Sequence, residues 1–315
     1  MRRRLLLVLG FTLLSFFPED VSQAQEVRGV EVVRARFGAG PDALGVITPR
    51  EGNPEGPMSF DLGRNGEIFV LDQVNSRVQV FRAGERRRTI RIPGQTFVDV
   101  AIASANRIVL LDNLVKKAVY VLTSEGRVLN IVPLEGRSIS YAPAVEGVYS
   151  REDGKWAGVW VEVEERSVRI AAPHGAPMVN RISVPGRFNL DGRRLMRAGK
   201  IGDTTAVVYL SKEDSLAQWS EYTVSFPMFI AHLLGLWDDR KGRIYLGAFL
   251  EEGSAASNVV VILGPQGREL GRVRLFVQRM PHEVYRSVRV SPEGKIFQMA
   301  LGARGVFVKV FDPGY

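Results

Sequence analysis

SFDLGRNGEIFVLDQVNSRVQVF (59–81) aligns without a gap with a second stretch 40 residues downstream, DVAIASANRIVLLDNLVKKAVYV (99–121). Apolar residues meet apolar residues along both stretches, and the polar joint that begins at Asp72 meets the joint that begins at Asp112. Agreement over so many positions indicates an internal repeat with a period of about 40 residues.

Fainter copies of this unit cover the rest of the chain. Each copy consists of short runs rich in Val, Ile, Leu, Phe and Tyr, separated by Gly, Asn, Asp or Pro, which is typical of strands joined by tight hairpins. Runs such as 108–111 and 259–263 are apolar at successive positions, as expected where both faces of a sheet are covered. First strands are predicted near 58–63, 97–102, 145–149, 195–201, 233–238 and 286–290.

Four-stranded units of this length are typical of β-propeller blades. We therefore predict an all-β chain that forms a β-propeller with six four-stranded blades; the count is five if the fourth unit is not a blade. The last unit has room for only three strands, whereas GVEVVRARF (29–37) precedes the first complete unit. This N-terminal strand is expected to complete the last blade, because closure of the ring removes an open sheet edge.

The first 24 residues have the features of an export signal. Three arginines follow Met1, an apolar run covers 5–17, and small residues precede the expected cleavage site after Ala24. The apolar run is shorter than the roughly 20 residues that cross a bilayer, so an uncleaved anchor is the less favoured alternative. We predict a signal peptide at 1–24, a single propeller domain at 25–315, no membrane span after cleavage, and a secreted or periplasmic protein. The export route stays open.

The charge balance indicates the class of partner. The chain has 42 Lys and Arg against 34 Asp and Glu, and it has no cysteine. Disulfides and thiolate metal sites are therefore excluded. A net positive charge favours anionic partners, so the expected partner of this monomer is a protein or an anionic glycan; nucleic acid is not expected.

The stretch 54–81 resembles an NHL repeat, whose consensus runs from a proline through an apolar strand and a Gly turn to Val-x-Asp-x-x-Asn-x-Arg-Val-x-x-Phe. The matching residues are Pro57, Gly66, Val70, Asp72, Asn75, Arg77, Val78 and Phe81. In the copy at 96–134, Val115 replaces the Asn. The resemblance implies a propeller that is most often six-bladed in exported bacterial proteins. It implies no single activity, because such propellers serve as binding modules, scaffolds and a few enzymes.

The joint from Asp72 to Arg77 is interpreted as a structural staple of its hairpin. An aspartate at a strand end can accept backbone N–H bonds across the turn, and Asn75 tolerates the left-handed conformation that such turns use. Arg77 begins the next strand within expected reach of Asp72, and Lys117 repeats this arrangement with Asp112. Since the pair recurs at corresponding places, a structural role is favoured over ligand contact.

Candidate chemical groups are few. His232 and His282 each precede a predicted inner strand, and some NHL-type lyases that the chain resembles in fold hold a metal in the central channel with histidines. A zinc site needs three or four convergent ligands, and the two histidines differ in register, so isolated structural or surface histidines are favoured over a metal site. The acidic pair Asp238-Asp239 is interpreted as part of the first turn of its blade. No catalytic residue and no cofactor are predicted.

These observations predict an exported, non-catalytic binding or scaffold protein that acts through its blade-end loops. The long joints at 38–57 and 249–257 are the expected contact loops. The alternative is a lyase or hydrolase that uses the channel, with or without a metal.

Overall fold

This computed structural model describes residues 27–315 except 137, 153 and 214, and these residues form six sheets. The predicted signal peptide lies outside the described residues. The predicted all-β propeller with six blades closed by an N-terminal strand is confirmed, and the alternative of five blades is excluded. Among the described residues, no helix has the length and apolar character needed to span a membrane.

Within each blade, the strands follow one another from the axis of the ring outward. Two N-terminal strands come first, β1 (Val30–Phe37) and β2 (Ala43–Leu44). Blade 1 contains β3 (Ser59–Leu62), β4 (Ile68–Asp72), β5 (Arg77–Arg82) and β6 (Glu85–Arg91), and blade 2 contains β7 (Asp99–Ile102), β8 (Ile108–Asp112), β9 (Ala118–Leu122) and β10 (Val128–Pro133). Blade 3 contains β11 (Val145–Arg151), β12 (Gly158–Val163), β13 (Arg166–Ala171) and β14 (Pro177–Pro185).

The second half of the ring repeats this arrangement. Blade 4 contains β15 (Arg187–Phe188), β16 (Leu195–Lys200), β17 (Thr205–Ser211) and β18 (Trp219–Ser225), and blade 5 contains β19 (Phe229–Asp238), β20 (Ile244–Glu252), β21 (Ala255–Leu263) and β22 (Glu269–Leu275). Blade 6 contains β23 (Val288–Val290), β24 (Ile296–Gly302) and β25 (Gly305–Phe311). Short 3-10 turns occupy Arg64–Gly66, Gln73–Asn75, Ser104–Asn106 and Ala142–Ala144.

The N-terminal strand completes blade 6. β1 pairs antiparallel with β25, and Ala35 lies opposite Val306 in this pairing. The short strand β2 then adds to the outer edge of β1. The two ends of the propeller therefore share one sheet, so the backbone hydrogen bonds of blade 6 close the ring.

The apolar runs reflect burial on both faces of each sheet. In β8, Ile108 and Leu110 belong to the core between blades 1 and 2, whereas Val109 and Leu111 belong to the core between blades 2 and 3. Successive side chains of a strand point to opposite faces. A strand in the middle of a blade, such as β8, thus contributes to two neighbouring cores, which explains why its sequence is apolar without alternation.

Two boundaries differ from the sequence prediction. The first strand of blade 4 was predicted at 195–201, but this stretch forms the second strand, and the inner strand is β15 with only two residues. A strand this short leaves no apolar run that a sequence pattern could detect. The expected loop at 249–257 consists mostly of strand, because β20 and β21 extend to a tight turn at Gly253, where φ is +59°.

The blades have two kinds of ends. Within each blade, the connection between the first and second strands lies at one end of the ring, which we call the first-turn face. The connections between second and third strands lie at the opposite end together with the links between blades, and this is the link face. The joint after Asp72 and the segment 38–57 both lie on the link face.

Candidate functional site

The joint of blade 1 is built around the buried carboxylate of Asp72. Arg77 Nε donates to Asp72 Oδ2 at 2.7 Å, and Asn75 Nδ2 donates to the same oxygen at 2.9 Å. The left-handed residue of the turn is Ser76, with φ of +52°, and not Asn75. Asp72, Asn75 and Arg77 are thus brought together in one hairpin, with Asn75 acting through its side chain.

The same joint also fixes the link that follows the closing strand. Gly45 donates its N–H to Asp72 Oδ1 at 2.8 Å, and Arg77 Nη2 donates to the carbonyls of Gly40 and Ala43 at 2.9 and 2.7 Å. A Cβ on Gly45 would lie only 2.9 Å from Asp72 Oδ1, so the backbone approach requires glycine. The joint therefore connects blade 1 to the N-terminal closure, and it has no free charge to offer a ligand.

The corresponding joint of blade 2 is built differently. Asp112 Oδ1 accepts the N–H groups of Val115 and Lys116, both at 2.9 Å, and its other oxygen accepts the hydroxyl of Thr96. Among the described residues, Lys117 forms no ion pair with Asp112; it is exposed and has φ of +51°. The expected pairing is replaced by a turn cap, because backbone donors already occupy the carboxylate.

The histidines are not brought to a common metal site. His232 lies in β19 with its ring centroid 5.2 Å from that of Phe249, and burial lowers its pKa. His282 lies in the link between blades 5 and 6 and stacks on Phe37 at 6.4 Å. Within the described part of the chain, no group of three or more His, Cys, Asp or Glu side chains is arranged to hold a metal ion.

The link between blades 5 and 6 (276–287), which we call the crossing segment, reaches to the opposite side of the ring. The Tyr285 hydroxyl donates to the carbonyl of Val145 at 2.9 Å, and Arg286 Nη2 donates to the carbonyl of Glu146 at 3.0 Å. Arg286 also forms an ion pair with Glu162. All three partners belong to blade 3, which stands opposite blade 6 in a ring of six. The crossing segment therefore lies across the axis near the link face.

Charged side chains surround this crossing point. Arg286 Nε lies 3.4 Å from Asp99 Oδ2, and Arg289 of blade 6 lies 3.0 Å from the other oxygen of Asp99. Arg187 of blade 4 approaches Glu162 at 3.4 Å. We call this group the axial cluster, and its members are Asp61, Asp99, Glu162, Arg187, Arg286 and Arg289. Three carboxylates and three guanidinium groups balance in charge, and they close the axis.

Glu162 is held ionised inside the axial cluster. Burial opposes its ionisation, but Arg286 and Arg187 beside it lower its pKa from 4.5 to about 2. The close approach of Arg286 depends on Gly147, since a Cβ there would lie 1.7 Å from a guanidinium nitrogen. A glycine in the inner strand of blade 3 thus makes room for the side chain that closes the axis.

On the first-turn face the axis opens into a cavity of about 1200 Å³, which we call the cup. All six blades contribute to its wall. Its charged residues are Arg64, Glu67, Arg151, Glu152, Asp191, Asp238, Asp239, Arg240, Glu293 and Lys295. Six carboxylates thus face four cations, so the cup has an excess of negative charge although the whole chain is positive.

Most charges of the cup have partners. Arg64 of blade 1 pairs with Glu152 of blade 3 across the mouth, and Arg240 pairs with Glu293 at 2.8 Å. Arg151 Nη1 donates to a backbone carbonyl of blade 4 at 2.6 Å. These contacts fix the rim and leave few groups available for a ligand.

Asp238, at the end of β19, is the exception. The residue is 9% exposed, and its Oδ2 accepts the N–H of Leu190 at 2.8 Å. In the described part of the chain, its Oδ1 accepts no hydrogen bond. Burial raises its pKa from 3.8 to about 6, and the negative charges of Asp191 and Asp239 act in the same direction. Asp238 also lines a side cavity of about 320 Å³ between blades 4 and 5.

Sequence reasoning placed both Asp238 and Asp239 in a first turn and assigned them no role. In the structure Asp238 is the last residue of β19, which still forms a ladder with β20, and the turn begins at Asp239. The signal that could have identified the cup is topological, since the first turns of all blades meet at one end of the ring. Polar residues at or directly after the end of an inner strand, such as Asp238 and Asn189, are therefore neighbours around the mouth.

Comparisons with known proteins give the same architecture. No family model matches the chain, and no curated protein matches it. A member of the DUF4221 family from Bacteroides vulgatus has a TM-score of 0.51 at 10% identity, covering 92% of this chain and 98% of that one. A gluconolactonase from Xanthomonas campestris has a TM-score of 0.50 at 13% identity, covering 81% and 86%.

A virginiamycin B lyase from Staphylococcus aureus has a TM-score of 0.45 at 10% identity, covering 82% of this chain and 95% of that one. At identities this low, the likenesses to the DUF4221 member and the gluconolactonase show the fold alone and carry no activity to this chain. With the sheet order and the closure by β1, they lead to one conclusion: the chain is a six-bladed β-propeller.

Proposed function

We propose that the protein is an exported, non-catalytic binding protein that takes its ligand in the cup. One observation carries this proposal: the crossing segment closes the axis near the link face, and all six blades build a cavity at the other end. A concave site of this kind, formed by turns on a rigid scaffold, is a typical ligand site. Export rests on the N-terminal sequence.

The charge of the cup bears on the class of ligand. Its six carboxylates and four cations do not favour an anionic glycan at this position. The basic residues that give the chain its net charge lie mainly outside the cup, so we assign an anionic partner, if it binds, to the outer surface.

A lyase or hydrolase reaction in the cup is the second candidate. Asp238 supports it, because a buried carboxyl group with a pKa of about 6 can transfer a proton near neutral pH. Mass spectrometry can detect chemical turnover of a bound ligand. Turnover by the parent protein that is lost in Asp238→Asn would establish this candidate against the first.

Binding in the cup can be tested with one substitution made at two places. A thermal-shift screen of small polar molecules identifies a ligand, and titration calorimetry then compares Leu190→Trp with Leu114→Trp. Leu190 lines the cup and is 46% exposed, whereas Leu114 is 58% exposed on the link face. We expect about tenfold weaker binding in Leu190→Trp and no change in Leu114→Trp. The reverse result would place the ligand on the link face and overturn the proposal.

A further inference from the structure

We propose that the ligand of the cup carries a protonated amine and that Asp238 is the anion that binds it. This inference rests on the proposed function, since it names the chemical class of the ligand for that cavity. It is carried by the position of Asp238 and by the partners of the charges around it.

The carboxylate of Asp238 has one oxygen in use and one available. Oδ2 accepts the N–H of Leu190 at 2.8 Å, while Oδ1 accepts no hydrogen bond among the described residues. Asp238 lines both the cup and the side cavity, so a ligand can approach it from either. The residue is nine-tenths buried, but its second oxygen is not among the fully buried unpaired atoms, so it stays open to a ligand.

The cations nearest to Asp238 are occupied by other groups. Arg187 donates to Glu162 and to the carbonyl of Leu236, both at 3.4 Å. Arg151 donates to the carbonyls of Asn189 and Leu190 at 2.6 and 3.4 Å. The positive charges of both guanidinium groups reduce the negative potential at Asp238, but neither group donates a hydrogen bond to its carboxylate.

Three of the four cations that line the side cavity have partners as well. Arg193 pairs with Glu213 at 2.6 Å, Lys241 Nζ donates to the carbonyl of Tyr315 at 2.9 Å, and Arg240 pairs with Glu293. The fourth, Arg194, forms no ion pair within the described residues, so the side cavity keeps one unbalanced positive charge.

The acidic neighbours of Asp238 are less well balanced. Asp239 is neutralised by Arg243 at 2.5 Å. Asp191, in contrast, accepts only the backbone N–H of Arg193 at 2.8 Å and forms no ion pair within the described residues. In the cup, six carboxylates face four cations, and Asp238 and Asp191 both lie there without an ion pair among the described residues.

A protonated amine satisfies this arrangement better than a hydroxyl group or an anion. Its N–H groups can donate to Asp238 Oδ1 and to Asp191, and charge-assisted bonds of this kind are about twice as strong as neutral ones. Its positive charge also counteracts the burial that raises the pKa of Asp238.

Three probes with the same five-carbon chain test the inference: cadaverine, its diol analogue and its dicarboxylate analogue glutarate. Calorimetry on the full protein at neutral pH should give binding of cadaverine at least about tenfold tighter than that of the other two. Asp238→Asn should weaken cadaverine about tenfold or more and leave the diol unchanged, because the amide keeps an oxygen for the Leu190 N–H. Equal binding of diol and diamine, or preference for glutarate, would overturn the inference.

A pH series on the unaltered protein gives a second readout that does not depend on a variant. Cadaverine affinity should fall as the pH drops through about 6, where Asp238 takes up a proton. A flat profile would contradict the assignment. If another molecule binds in the cup by the Leu190→Trp criterion but no amine does, this inference fails and the proposed function stands; if Leu190→Trp affects no ligand, the proposed function itself fails.

Discussion

Glu162 and Asp238 are two mainly buried carboxylates of the same channel, one near the link face and one at the first-turn face. The pKa of Glu162 falls to about 2, and that of Asp238 rises to about 6. Burial acts on both in the same direction, so the partners make the difference. Glu162 meets the side chains of Arg286 and Arg187, whereas Asp238 receives one backbone N–H. A paired carboxylate closes the channel, and an incompletely paired one is left for a ligand.

The largest effect is expected for Arg286→Ala, which removes the cation shared by Glu162 and Asp99. Breaking a buried pair leaves uncompensated charge, so we expect a loss of about 3–5 kcal/mol in the free energy of unfolding. Urea denaturation measures it. Arg279→Ala is the matched control, because Arg279 lies exposed in the same link and should cost less than about 0.5 kcal/mol. Equal effects of the two variants would show that the axial cluster does not stabilise the fold.

Glu162→Gln should destabilise the protein by about 3 kcal/mol at neutral pH, given one unit of pKa per roughly 1.4 kcal/mol. A carboxyl group whose pKa is lowered on folding stabilises the native state above its unfolded pKa. This contribution is present above pH 4.5 and is lost as the pH falls toward 2. The gap between the variant and the parent should therefore narrow in acid. A gap that is constant with pH would mean that packing, not charge, accounts for the effect.

Asp238→Asn should change the free energy of unfolding in the opposite direction, that is, stabilise the protein. Because folding raises the pKa of Asp238 from 3.8 to about 6, ionisation costs stability at higher pH, and the cost is absent below 3.8. The variant should be more stable than the parent by about 2–3 kcal/mol above pH 6, and the difference should vanish as the pH falls toward 3.8. Denaturation at both ends of this range tests it, and a destabilised variant would contradict the contrast with Glu162.

The smallest effect is expected for Asp191→Asn, which removes one negative charge near Asp238. Asp191 is exposed, so the change in unfolding free energy should stay below about 0.5 kcal/mol. The pKa of Asp238 should fall, because a like charge that raises it is gone. A carbon-detected NMR titration of Asp238 measures this shift. A higher pKa in the variant would show that the Asp191 charge does not raise the pKa of Asp238.

The fold could be predicted because each blade repeats the same local pattern. Apolar runs such as 108–111 and turns at fixed spacing gave the period, and the missing strand of the last unit gave the closure by 29–37. The strand β15 could not be predicted, because two residues are too few to show a periodic pattern of apolar side chains.

The site could be predicted only in part. The contact of Asp72 with Arg77 lies five residues apart in one hairpin and follows from local geometry. The missing contact between Lys117 and Asp112 could not be predicted in this way, because backbone N–H groups of the turn already donate to the Asp112 carboxylate. The axial cluster joins residues as far apart as Glu162 and Arg286, 124 positions in sequence, and no local pattern indicates such a contact.

The crossing segment has a consequence for the kinetics of ligand exchange. With the axis closed at the link face, a ligand enters and leaves the cup from the first-turn face, and a molecule that fills the cup blocks the entry of the next. Exchange then requires complete dissociation first. The rate at which a competitor displaces the bound molecule is set by departure alone and does not rise with the competitor's concentration.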